Sequence, residues 1–145
     1  MSTAIGTVLD AIRAALILRA NLSGVNVFSG PVSWEEAGVE CIALGDARLD
    51  EEEMAMGGNR LEEWDVDGEI LTQRPWQTTT ETTIKAARDR TLALFAEVET
   101  HINDTYTGSY PHVTVTAGSL SQQMSTDWRR CWLTFTLHIR NPKNP

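Results

Sequence analysis

The stretch Cys131-Trp-Leu-Thr-Phe-Thr-Leu-His-Ile-Arg140 decides the architecture. Cys131, Leu133, Phe135, Leu137 and Ile139 alternate without a break against Trp132, Thr134, Thr136, His138 and Arg140. A strand turns successive side chains to opposite faces, so this alternation makes one apolar face and one polar face. The same pattern recurs upstream: Trp64, Val66, Gly68, Ile70 and Thr72 fall on one side, and Glu63, Asp65, Asp67 and Glu69 on the other. Strands of this kind need a cover for their apolar face. Two segments have the helical spacing to supply it, Ile5, Val8, Leu9, Ile12 and Leu16 in the first and Ile84, Ala87, Thr91, Leu94, Phe95, Val98 and Ile102 in the second. Thr78 and Glu81 stand ahead of the second at capping-box spacing.

The segments between these complete the order. Asn21 to Gly24 reads as a helix stop and turn, Val25 to Phe28 as a short strand broken by Gly30-Pro31, and Val39 to Leu44 as a strand ended by Gly45-Asp46. Asp50-Glu51-Glu52-Glu53, followed by Gly57-Gly58, reads as an exposed loop or the tip of a long hairpin. Val113, Val115 and Ala117 alternate with threonines as a strand, and a connection rich in Ser and Gln follows. Helix, three or four strands, helix, two strands is an α+β order. It predicts a mainly antiparallel sheet with two amphipathic helices packed on one face. Residues 1–140 make one domain and residues 141–145 a loose tail. The second sheet face is expected to be polar and open, with Trp132 exposed on it and available to other chains.

Composition narrows the function classes. The chain has 145 residues, 41 % of them hydrophobic, long enough to bury a core without disulfides or a structural metal. Cys41 and Cys131 form no C-x-x-C spacing. The longest apolar run, Ala14 to Leu18, is far short of the roughly 20 residues of a membrane span. No basic region precedes the first apolar stretch and Asp10 interrupts it, so neither a secretory signal nor a membrane partner is expected.

Charge is unevenly placed. The formal net charge is −8, yet thirteen acidic and two basic residues lie between Glu35 and Glu69, a local net of −11 against +3 elsewhere. From Trp128 onward Arg129, Arg130, Arg140 and Lys143 meet no acidic side chain in sequence. Opposite charge at separate places in one small domain permits head-to-tail contacts that close into a ring. A domain this acidic is poorly suited to grip nucleic acid, where Lys and Arg supply the affinity.

Signals for chemistry are scarce. His101, His112 and His138 show no metal-binding spacing, Cys131 falls on an apolar strand face, and neither a nucleophile elbow nor a phosphate loop occurs. Glu63, Asp65, Asp67 and Glu69 share a strand face on which they could hold a divalent cation, but such a row is more often a solvated or partner-facing surface. No catalytic residue, metal site or cofactor is assigned.

In layout the chain resembles the tail terminator proteins of long-tailed bacteriophages, a group that includes tail-completion and neck proteins of similar fold. The resemblance runs through the helix Ile5 to Leu18, the strand and turn Val25-Asn-Val-Phe-Ser-Gly-Pro31 and the strand Glu40-Cys-Ile-Ala-Leu-Gly-Asp46. It continues in the Glu-rich segment, the strand with Trp64-Asp-Val-Asp-Gly68, the helix with Ala86-Ala-Arg-Asp-Arg90, and the closing hairpin from His112 to Arg140. It implies a tail-terminator-like fold and a structural virion protein, with no catalytic residues to carry over. A homohexameric ring would sit at the head-proximal end of the tail. It would cap the tail tube protein, halt its polymerisation and meet the head-side connector, while DNA passes through unbound.

On this reading Asp50, Glu51, Glu52 and Glu53, or Glu63, Asp65, Asp67 and Glu69, face the lumen or the next subunit. Arg129, Arg130, Trp132 and Arg140 are assigned to contacts with a neighbouring subunit or the tube. A head-side neck or connector protein is the nearest alternative. A small acidic module that binds a basic partner by charge mimicry is a further one.

Overall fold

The computed structural model describes residues 5–54, 60–75, 80–108, 110–124 and 127–142; for residues 50–54, 60 and 80 it gives the backbone alone. In chain order the elements are α1 (Ile5–Ile17), a short 3-10 turn, β1 (Asn26–Phe28), α2 (Trp34–Ala37), β2 (Glu40–Met54), β3 (Arg60–Pro75), α3 (Thr80–Thr105), β4 (His112–Met124) and β5 (Trp128–Pro142). The five strands form one sheet in the order β1-β2-β3-β5-β4. Every pairing is antiparallel except that of β1 with β2. The fold is α+β with both long helices on one face, as the alternation requires.

Val8, Ile12 and Leu16 of α1 and Leu94, Phe95, Val98 and Ile102 of α3 join one core with Val66, Ile70, Leu133, Phe135, Leu137 and Ile139 of the central strands. A buried hydroxyl relay fixes α3 on the sheet: Thr72 Oγ1 lies 2.7 Å from Thr91 Oγ1 and donates to the Ala87 carbonyl. Ion pairs hold the helix flank, with Glu97 accepting from Arg19 at 2.6 Å and from Asn21 at 2.8 Å, and Glu40 gripping Arg90. Among the described residues no helix is long and apolar enough to cross a membrane.

Several sequence expectations change. The polar stretch after Pro31 contains α2, whose signal is the Ser33-to-Glu36 capping box: Ser33 Oγ accepts from Glu36 N and Glu36 Oε1 from Ser33 N. Asp50–Glu53 are not a loop but strand residues near the end of the long β2–β3 hairpin, and β2 runs on through Gly45-Asp46 where a strand end was expected, with Glu51 opposite Glu63 and Glu52 opposite Glu62. Gly118 to Met124, read as a connection, continue β4 against β5. Asn141 and Pro142 pair with Glu62 and Leu61, so β5 runs two residues into the stretch read as a loose tail, while residues 143–145 lie outside those described. Thr78 of the second capping box also lies outside them.

Gly68 is where the core leaves no room for a side chain. A Cβ there would stand 2.2 Å from Cζ of Phe135, whose ring packs against Phe95 at 5.9 Å. Gly68→Ala is therefore expected to lower stability by about 1–3 kcal/mol in urea unfolding. Adding Phe135→Leu should recover part of that loss; a strictly additive double variant would show that the ring is not the obstacle.

Candidate functional site

The sheet face away from the long helices carries the acidic residues singled out above. Alternation along β3 puts Glu63, Asp65, Asp67 and Glu69 there, and the register brings β5 and β2 residues against them. Arg140 sits opposite Glu63 and pairs with it at 2.6 Å. His138 sits opposite Asp65, with Nδ1 2.6 Å from Oδ1. Arg48 reaches diagonally to Asp67 in a two-pronged contact. The row is thus a ladder of cross-strand contacts, two ion pairs with arginines and one hydrogen bond with an imidazole, where the sequence alone left the partners of these carboxylates open.

Among the described residues no cation pairs with Glu69. It lines a hollow of about 380 Å³ with Pro31, Asp46, Asp67, Thr134 and Thr136. Among the described residues no group of three or more His, Cys, Asp or Glu is arranged to hold a metal ion. The side chains of Asp50, Glu51, Glu52 and Glu53 lie outside the described set; their backbone places them on the strand beside β3, away from Glu69.

The assigned basic residues divide. Arg140 belongs to the ladder. Arg130 lies at the opposite end of β5, where Nε donates to Gln73 Oε1 at 3.1 Å and the guanidinium stands 5.0 Å over the Trp34 ring. Trp132, expected to be exposed, is half-buried edge-on against Trp34 at 5.7 Å. The cause is α2, which folds over this end of the outer face and builds a second small cluster with Ala37, Cys41 and Leu71. Gln73 ties α2 down by donating from Nε2 to the Trp34 and Gly38 carbonyls. Arg129 sits beside Arg74 in the strand register. Among the described residues the outer face is therefore open beyond α2, toward Asp46, Asp67 and Arg140.

Neither cysteine is poised as a nucleophile. Burial pushes the Cys41 thiol up to about 11 and raises that of Cys131 too, so both stay protonated at neutral pH. His101, near the end of α3, is buried; burial, and then the charge of Arg19, hold its imidazole below the ordinary histidine range. Sequence reasoning missed Arg48, His138, Trp34 and Gln73 as parts of this surface. His138 was legible as outward-facing, but its partner depends on register. Arg48 meets Asp67 only because an extra residue shifts β2 between Leu44 and Ala47.

Two outcomes follow from these geometries. The ladder pairs are half-exposed, so Arg140→Gln is expected to cost no more than about 1 kcal/mol, and less in high salt; a larger loss would mark Arg140 as a core element. His101 is neutral when folded and takes up a proton more readily when unfolded, so stability should fall as pH drops below its ordinary value. As pH falls through the ordinary histidine range, the native chain should lose more stability than a His101→Phe variant. Parallel pH profiles in urea titration would refute that assignment.

No family model and no curated protein matches the sequence. Among solved structures, a chain from the virion of a native gene transfer agent particle superposes over 92 % of this chain and 92 % of its own length, with a TM-score of 0.44 and 15 % identity.

Proposed function

We infer that the chain is a structural virion protein of a phage-like particle, a tail terminator. Copies close into a hexameric ring that caps the finished tail tube, ends its polymerisation and receives the head-side connector. The genome passes through the lumen. The role is architectural and involves no catalysis. The proposal gives the chain a virion setting like that of the gene transfer agent particle.

The observation that carries this reading is the outer sheet face beyond α2. It presents four carboxylates of β3 along one line, and the two guanidiniums that approach them, Arg48 and Arg140, are held in ion pairs. DNA carries about one negative charge per 1.7 Å of axis, so a wall of this kind offers it no adhesive contact and lets it slide. Screening limits the repulsion to about 8 Å at physiological salt, a range that acts across a narrow bore and not beyond it. The layout resemblance supports the ring and its place in the virion.

The test is tube assembly. Purified tail tube protein is polymerised with and without this chain, and tube ends and lengths are read by negative-stain electron microscopy. Capped tubes of limited length, with sixfold end views, are the expected result. Closed rings of another symmetry that bind a head-side connector and leave tube length unchanged would move the chain to the neck. Unchanged tubes and no rings overturn the reading.

A further inference from the structure

The sheet ends on two unequal edges. β1 covers β2 only from Cys41 to Ala43, so among the described residues the far side of β2 meets no strand from Leu44 to Met54. The outer side of β1 itself is short and partly closed, because its Val27 carbonyl accepts from Arg13 Nε at 2.9 Å. At the opposite margin lies β4, which among the described residues is paired on one side only. Its residues Val113 to Met124 include no charged side chain and no proline. Edge strands are ordinarily guarded by Lys, Pro or inward charge, so a long uncharged edge is open to pairing with another chain.

The two edges differ in charge. β2 ends in Asp50-Glu51-Glu52-Glu53, and setting two such edges together would oppose like charges across the joint. β4 carries nothing that repels them. The edges also agree in their apolar content: Leu49 on β2 and Leu120 and Met124 on β4 are 48 %, 39 % and 62 % exposed. Their register partners, Trp64, Leu133 and Arg129, put all three on the helix side of the sheet.

We propose that the protein assembles with further copies of itself edge to edge, β4 of one copy accepting the Ala47–Met54 segment of β2 of the next. The sheet then continues from subunit to subunit, with backbone hydrogen bonds as the adhesive and Leu49 covered by Leu120 and Met124. The contact is heterologous, so it generates a ring when the rotation per subunit closes. This inference rests on the ring reading and names the surfaces that build the ring.

The experiment uses charge sign on β4. Thr116 and Gln123 are exposed, and the full chain is compared with Thr116→Lys/Gln123→Lys and Thr116→Glu/Gln123→Glu by sedimentation velocity over a concentration series. The unmodified chain should associate reversibly, the Lys pair should associate at the same or lower concentration, and the Glu pair should need at least about tenfold more protein. Thermal melting at dilution checks the fold of each variant, and Thr116→Glu alone replaces a Glu pair that melts without cooperativity. Equal weakening by Lys and Glu would show two β4 edges meeting each other and overturn the proposal. So would indifference to Glu, or a monomer at every concentration. None of these three results touches the ring reading if tubes are still capped, whereas uncapped tubes with intact edge pairing would remove the ring function and leave the contact.

Discussion

The pairing of β3 with β5 governs everything else in this molecule. Fifteen successive residue pairs, from Leu61 with Pro142 to Pro75 with Trp128, join the two strands without a register shift. Because side chains alternate strictly, one unbroken ladder sorts two strands at once into an apolar face and a polar face. A slip of β3 by a single residue would turn Val66 and Ile70 to water and press Asp65, Asp67 and Glu69 onto α3. The packing of both helices, the crowding at Gly68 and the charge ladder are consequences of that one register.

That register also explains what the sequence could and could not disclose. The faces of β3 and β5 and the apolar stripes of α1 and α3 were legible, because each depends on periodicity inside one segment. The relation between segments was not. His138 could be placed on the outer face, but its contact with Asp65 requires knowing which residues lie opposite each other. The seven residues after Ala117 read as a connection because their polar side chains suit solvent on both sides, which is what an outermost strand beyond the helix cover meets. Helix α2 escaped because four residues are too few for a periodic stripe, though its capping box was present in the sequence. Trp132 then found an unforeseen partner in Trp34.

The charge ladder changes the physical character of the acidic segment. A local net of −11 on one stretch of chain suggests strong self-repulsion. In the fold Arg140 and Arg48 are brought to Glu63 and Asp67 by neighbouring strands, so part of that repulsion is relieved within the domain, while Asp65 is hydrogen-bonded to His138. Exposed pairs contribute little to stability individually. Their effect is positional: each holds a carboxylate and a cation in fixed places on an otherwise open surface, and it withdraws the cations from any passing phosphate.

The register shifts are not scattered. Two fall in β2, between Leu44 and Ala47 and between Leu49 and Glu51, and one in β4, between Ala117 and Leu120, while the β3–β5 spine has none. Each inserts an extra residue and bends its strand. The margins of the sheet therefore have more contour length than its midline. A surface longer at its rims than along its centre takes on saddle curvature and cannot be flattened, so copies of this sheet are poorly shaped to stack face on face as flat fibrils do.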